Sequence, residues 1–437
     1  MRYNDVQHKA GGFPLIDRNH HICILGLGYI GLPTAVMFAN YGFRVTGVDV
    51  NQRVIEQLRA GTPHIEEPNF FELFQNVSGK SLTYETAPVA ADTYIIAVPT
   101  PVHADHSADL TYVVAATRAI VPHLQKGNLM IVESTIPPQT TDGIVADVLR
   151  EAGWQAGEDI LLAHCPERVI PGKIIYEIVH NARIVGGVNE QSSRVAADLY
   201  RTFVEGQVLE TTAINAEMSK LMENTYRDVN IALANELVKI SSVLDINPLE
   251  VIRLANHHPR VNILQPGPGV GGHCIAVDPY FIVEKAFQQT PLIQTAREIN
   301  ESMPDVVVSQ IQRLTATVAQ PKIAVFGIAY KGNVGDWRES PALKIIAGLQ
   351  QAGIEVAVHD PLVVDRMKDF ELVSAEAAAQ NSDLLVVLAD HQLFHDTLSE
   401  TLLATMRQAR ILDTKNFVKL SPESSAELIN FNHLFRA

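Results

Sequence analysis

The chain has 437 residues, and at roughly 150 residues per domain that length points to about three domains. Apolar residues make up 47 % and charged residues 19 %, enough for several cores and too few charges for a disordered or coiled-coil chain. The net charge of −15 and pI near 5.5 argue against a nucleic-acid or membrane-surface binder, so any anionic ligand must be held by local basic residues.

Residues 1–20 read as a polar extension without the apolar stretch of a signal peptide. No apolar run reaches the roughly 18 residues needed to span a bilayer, and the expected location is the cytoplasm. His21–Gly26 (HICILG) predicts a strand, followed by a glycine-rich turn and a helix from about Gly31 to Tyr41. Further strands are predicted at Arg44–Val48, Thr93–Val98, Leu129–Glu133 and Ile160–Ala163. Strands alternating with helical stretches imply a parallel sheet covered on both faces. From Ala213 a run without Gly or Pro carries apolar residues at Met218, Leu221, Met222, Val229, Leu233, Leu237, Ile240 and Leu244, the period of one long helix. The irregular stretch HHPRVNILQPGPGVGGHC follows, and helices resume to about Met303. KIAVFGI from Lys322, IEVAVHD, DLLVVLA and RILDTKN predict the strands of a second α/β region. The expected fold is therefore two Rossmann-like, doubly wound parallel-sheet domains (21–212 and 306–437) joined by a central helical domain (213–305).

Gly26-Leu-Gly28-Tyr29-Ile30-Gly31 lies between the first strand and its helix, and Asp49 ends the next strand about 20 residues on. The first glycine permits the turn, the second lets backbone approach a pyrophosphate, and the third packs helix against strand. The phosphates then face a helix N-terminus. Asp49 can bond a ribose 2′-OH and would repel a 2′-phosphate, which favours NAD over NADP. Arg53 lies nearby, either at the cofactor or on a solvated helix face.

The three cysteines, Cys23, Cys165 and Cys274, are far apart, with no metal-ligand spacing, and fit a reducing compartment. Cys274 ends Pro266-Gly-Pro-Gly-Val-Gly-Gly-His-Cys274. Glycines there admit a close-lying ligand, and a thiolate so presented can attack a carbonyl. The alternative is a structural cysteine on a turn, which is how Cys23 reads; Cys165 is ambiguous. Lys220 and Asn224 share one face of the long helix and can hold a substrate oxygen, although a helical lysine is ordinarily solvated.

Taken in order, GLGYIGLP (Gly26–Pro33), PTP (Pro99–Pro101), ESTIPP (Glu133–Pro138), CPER (Cys165–Arg168), the Lys220/Asn224 helix, GGHC with Asp278, and DWRESP (Asp336–Pro341) resemble the UDP-sugar 6-dehydrogenase family. Within it, CPERVIPG, NTYRDVNIALANEL and ANHHPRVNILQPGPGVGGHCIAVDPYF are most similar to the UDP-N-acetyl-D-mannosamine branch. The UDP-glucose branch usually carries a lysine where this chain has Val277, so that lysine's role does not transfer. The resemblance implies a four-electron oxidation of the sugar C6 alcohol to a carboxylate, with two NAD reduced, on the way to surface polysaccharide. It implies Cys274 as nucleophile, Lys220 and Asn224 stabilising an alkoxide, and Asp278 positioning or activating water. Glu167 and Thr135 would lie near the reacting centre, with Pro99, Thr100 and Thr135 lining the nicotinamide side. Glu167, Arg168, Val169, Asn262, Gly271, Lys331 and Arg338 would meet the UDP-sugar, Arg260 would do so across a homodimer interface, and Arg338 suits a bidentate contact. The related UDP-N-acetyl-D-glucosamine dehydrogenases also carry GGHC, and the C2 preference cannot be read from the residues.

Overall fold

A computed structural model of the chain describes Ile16 and residues 19–65, 67–364 and 366–431; the expected extension lies almost wholly outside the described residues. The chain divides into two compact units, Met1–Leu221 and Met222–Ala437.

The first unit holds β1 (His21–Leu25), β2 (Arg44–Val48), β3 (Leu82–Glu85), β4 (Thr93–Ile96), β5 (Leu129–Val132), β6 (Leu161–His164), β7 (Arg183–Gly187) and β8 (Val208–Thr212). They form one eight-stranded sheet in the order β3-β2-β1-β4-β5-β6-β7-β8. Alternate residues of β1 enter two different cores, Ile22 and Ile24 on one face and Cys23 and Leu25 on the other. That is the pattern of a strand covered on both sides. The strand order reverses between β1 and β4, which opens a crevice at the carboxyl ends of the strands. One pairing departs from the expected parallel pattern: β7 runs antiparallel to β6, with Ala163 opposite Gly187 and His164 opposite Gly186.

The second unit carries β9 (Lys322–Phe326), β10 (Glu355–His359), β11 (Leu384–Val387), β12 (Arg410–Asp413) and β13 (Glu427–Asn430), all parallel, in the order β10-β9-β11-β12-β13. Its core again splits along β9, Ile323 and Val325 to one face and Ala324 and Phe326 to the other. The helix Pro291–Leu314 continues through Pro304, beyond the end expected near Met303. Burial of Met303, Val307 and Ile311 outweighs the hydrogen bond that proline forfeits.

The long helix is a single element, Ala213–Leu244. Its inward stripe is largely polar: Glu217, Lys220, Asn224, Thr225, Asp228 and Asn235 are buried, at helical spacing. Much of its apolar stripe faces outward, with Met222 at 42 %, Leu233 at 53 %, Ile240 at 41 % and Leu244 at 62 % exposure. The apolar period therefore identifies the helix but not its buried face.

Candidate active site

In the first unit the turn after β1 has the three glycines in three different roles. Gly26 is left-handed (φ +91°), and a Cβ there would meet the Ala97 carbonyl oxygen at 2.4 Å. A Cβ on Gly31 would lie 1.8 Å from the Gly26 oxygen, so only glycine permits this helix–strand contact. At Gly28 a Cβ would meet nothing within 4 Å. That open side is where a pyrophosphate has room to approach backbone. The helix Gly31–Asn40 begins after Ile30 with no side-chain cap and no acidic residue in its first turn, so the positive end of its dipole is left for an anion. Tyr29 is exposed beside it. Asp49 accepts the Leu27 N–H at 3.0 Å with one oxygen and the Asn51 N–H at 2.9 Å with the other, which fixes its carboxylate at the end of β2. Arg53 is exposed, and its N–H bonds the capping Asn51 side chain. These residues fit a bound NAD.

Thr100 donates its hydroxyl to the Thr135 carbonyl at 2.6 Å, and Ser134 donates to the Val98 carbonyl at 2.7 Å. The Pro99–Thr100 and Thr135 loops are thereby stitched together beyond β4 and β5. Glu217 accepts the N–H groups of Gln139 at 2.7 Å and Thr141 at 2.8 Å, tying the following turn to the long helix. Burial pushes the Glu217 carboxyl up to about 7. Lys220, expected to be solvated on general grounds, is 8 % exposed. Burial, with the Lys220 charge adding, drives His164 down to about 3, so this imidazole is neutral. Glu167 follows Cys165 beyond β6; its carboxylate takes the Arg168 N–H at 2.7 Å and an Arg183 nitrogen at 3.0 Å. Arg168 reaches the Ala182 carbonyl, and Val169 packs against the core.

In the second unit Cys274 is partly exposed and stands in the turn that enters the helix Asp278–Lys285. Its carbonyl accepts from Val277 and Asp278, the latter at 2.9 Å. Buried Asn224 donates its amide to the Asp278 carboxylate and accepts from Arg227, so both ends of the amide are assigned by charged partners. The structure brings Asn224 and Asp278, both expected site residues, into contact, and adds Arg227, three residues on, which the sequence did not single out.

Two of the glycines before Cys274 are approached closely by other loops of the chain. A Cβ on Gly271 would lie 2.5 Å from the Glu339 oxygen, and one on left-handed Gly272 would strike the Tyr330 ring at 2.8 Å. These two glycines admit the protein's own loops. Asn235 on the long helix accepts the Gly267 N–H at 2.9 Å and holds the loop's start. Burial, with Asp336 and Cys274 adding, raises the Tyr330 hydroxyl. Arg338 makes its bidentate contact with Asp336, at 2.9 and 2.6 Å, and also meets His273 at 3.4 Å. Lys331 is exposed nearby in sequence. Arg260 and Asn262 are exposed on a loop pinned to the long helix by Asn230, which donates to the Asn262 carbonyl at 2.8 Å and accepts the Leu264 N–H at 3.0 Å.

With this arrangement in view, three models of the UDP-glucose/GDP-mannose dehydrogenase family match in order: its NAD binding domain over residues 20–204, its central domain over 214–302 and its UDP binding domain over 324–420. The chain belongs to this family. It is 45 % identical to a UDP-N-acetyl-D-mannosamine dehydrogenase of Methanococcus vannielii, over 91 % of this chain and 93 % of that one. It is also 45 % identical to an NDP-N-acetyl-D-galactosaminuronic acid dehydrogenase of Ralstonia solanacearum, over 85 % and 91 %. Among solved structures it is similar to the UDP-N-acetyl-mannosamine dehydrogenase Cap5O from S. aureus, with TM-score 0.88 and 50 % identity over 95 % of this chain and 99 % of that one. The family's NAD binding domain coincides with the glycine turn, Asp49 and the stitched loops, and its UDP binding domain with the loops that carry Lys331 and Arg338. No helix among the described residues is long and apolar enough to cross a membrane.

Proposed function

We propose that this family member oxidises UDP-N-acetyl-D-mannosamine at C6 to the uronic acid, with NAD, for surface-polysaccharide synthesis in the cytoplasm. The observation that carries the reading is Cys274 on its glycine loop, leading into Asp278 bonded to Asn224, in a chain that shares the length and about half the residues of dehydrogenases so named. Val277, where the UDP-glucose branch usually has lysine, supports an N-acetylhexosamine over glucose. We keep the division into NAD-binding (21–212), central (213–305) and UDP-sugar-binding (306–437) domains, which the three family matches support.

Bound NAD supplies the hydride acceptor for both oxidations. Gly26, Gly28, Tyr29, Ile30, Gly31, Asp49, Arg53, Pro99, Thr100 and Thr135 are the residues assigned to hold it. Lys220 and Asn224 stabilise the C6 oxyanion as the alcohol loses its proton. The Cys274 thiolate adds to the aldehyde, keeping it from release, and loss of hydride from the thiohemiacetal leaves a thioester. Water cleaves that thioester to carboxylate and thiol, with Asp278, Glu167 and Thr135 guiding the water. Glu167, Arg168, Val169, Asn262, Gly271, Lys331 and Arg338 hold the nucleotide sugar. The outward apolar stripe of the long helix, with the Arg260 loop pinned to it, supports a homodimer in which Arg260 reaches the partner's sugar.

The test is NADH formation with UDP-N-acetyl-D-mannosamine, UDP-N-acetyl-D-glucosamine and UDP-glucose. Two NADH per sugar and fastest turnover on the mannosamine compound are expected. Fastest turnover on UDP-glucose would overturn the substrate. Cys274→Ala should abolish acid formation, and unchanged acid production by that variant would overturn the mechanism.

A further inference from the structure

The first unit buries an arginine that the reaction scheme does not use, in a charged cluster that includes Glu167. Arg183 begins β7 and is buried, as are Glu133 and Cys165. A single Arg183 nitrogen, Nη2, donates to Glu133 at 2.9 Å and to Glu167 at 3.0 Å, while Nε donates to the Cys165 sulfur at 3.1 Å. The guanidinium lies 4.3 Å from the centre of the Tyr200 ring, whose hydroxyl donates to Glu133 at 2.6 Å. Thr34, on the helix that opens at the glycine turn, donates to the other Glu133 oxygen at 3.3 Å. Burial pushes the Cys165 thiol up to about 12, so Cys165 is a neutral acceptor and no second nucleophile.

Why Arg183 arrives there follows from the sheet. Glu133 stands just beyond β5, and Cys165 and Glu167 just beyond β6, at the carboxyl edge. A parallel neighbour would present its last residue at that edge. Because β7 runs antiparallel, with Gly186 opposite His164, it presents its first residue, Arg183. The one reversal in the sheet therefore brings a cation onto the two loops that carry Thr135 and Glu167.

We propose that Arg183 is a positioning residue that fixes the Glu167 carboxylate relative to the Glu133–Thr135 loop, setting the distance between the nicotinamide side of the site and the group that guides the hydrolytic water. This rests on the assignment of Glu167 above. Glu133, Thr34, Tyr200 and Cys165 hold Arg183 in turn, so the guanidinium has no other orientation open to it. A planar fork serves here because it meets Cys165 from Nε and both carboxylates from Nη2 in one rigid plane, whereas a lysine would have to meet all three from a single nitrogen on a flexible stem.

A double-mutant cycle tests it, read on the full-length protein per folded molecule. Glu167→Gln should release up to two NADH per site in a burst and then turn over slowly, roughly a hundredfold below the parent. Arg183→Lys keeps the charge and loses the fork; it should show the same burst and a turnover roughly tenfold or more below the parent, with KM for sugar and NAD little changed. In the Glu167→Gln background, Arg183→Lys should have no further effect on turnover. If Arg183→Lys does not fold, Tyr200→Phe, which keeps the ring under the guanidinium, carries the same cycle with a smaller loss. Additive losses, or parental turnover in Arg183→Lys, would overturn the positioning role. Parental turnover in Glu167→Gln would instead overturn the assignment of Glu167 itself.

Discussion

The two α/β lobes each end their second strand in an aspartate, and the two carboxylates are occupied in different ways. Asp49, after β2, takes one backbone N–H on each oxygen and stays partly exposed. Asp360, after β10, is buried. It accepts N–H groups from Ile328 at 2.7 Å, Ala329 at 3.2 Å, Leu362 at 2.9 Å and Val363 at 3.2 Å, and the ring of fully buried His391 at 3.1 Å. His391 also accepts the Asn333 N–H at 2.9 Å, so the turn carrying Lys331 is held from both ends. The same fold position thus carries a partly exposed carboxylate with acceptor capacity to spare in one lobe and a structural post in the other. What separates them is whether the turn's own N–H groups and a histidine fill the carboxylate before a ribose can.

Three substitutions test that contrast. Asp360→Ala has the largest expected effect, a stability loss of about 3–5 kcal/mol by urea titration, because it strands a buried histidine and several N–H groups. Burial works against the Asp360 charge, but the bonds from His391, Ile328 and Leu362 outweigh it and hold the carboxyl below its ordinary value. A depressed carboxyl contributes stability that is complete above its unfolded pKa of about 3.9 and is lost as pH falls through the folded value. The gap between parent and Asp360→Ala should therefore narrow as the titration is repeated below about pH 4; a gap independent of pH would contradict this account. Gly28→Ala should leave stability within about 1 kcal/mol, since its Cβ meets nothing within 4 Å. Its Kd for NAD should rise roughly tenfold or more. An unchanged Kd would break the first half of the comparison. Asp49→Asn should do least, keeping an acceptor for Leu27 while narrowing the preference for NAD over NADP by about fivefold in KM ratio.

Most strands of both lobes were legible, within a residue or two, because each is an apolar run bounded by turn residues. The strands β3, β7, β8 and β13 were not; RIVGG of β7 opens on a charge, and nothing in its residues says that it reverses direction. Arg183 was invisible for the same reason: a buried arginine is recognisable only once its two carboxylates are found on neighbouring loops. The long helix shows the converse case. Its apolar period was plain, yet the residues that line the interior are Glu217, Lys220, Asn224, Asp228 and Asn235, each needing a partner that lies far along the chain. Asp228, for example, meets Arg297 at 2.7 Å. Lys220 and Asn224 were found through their spacing and the family motif, not through burial. The glycines before Cys274 were noticed for close approach, and the structure shows Glu339 and Tyr330 lying close to Gly271 and Gly272.

This last point bears on how such enzymes can be recombined. Cys274, the proposed nucleophile, belongs by sequence to the helical segment, yet the space around its loop is shaped by residues encoded some sixty positions later. A chimera that imports a foreign C-terminal lobe to change the sugar would also replace the surfaces against which Gly271 and Gly272 are fitted. Residues 266–278 and 327–341 are one inheritable cassette, and they have to be exchanged together.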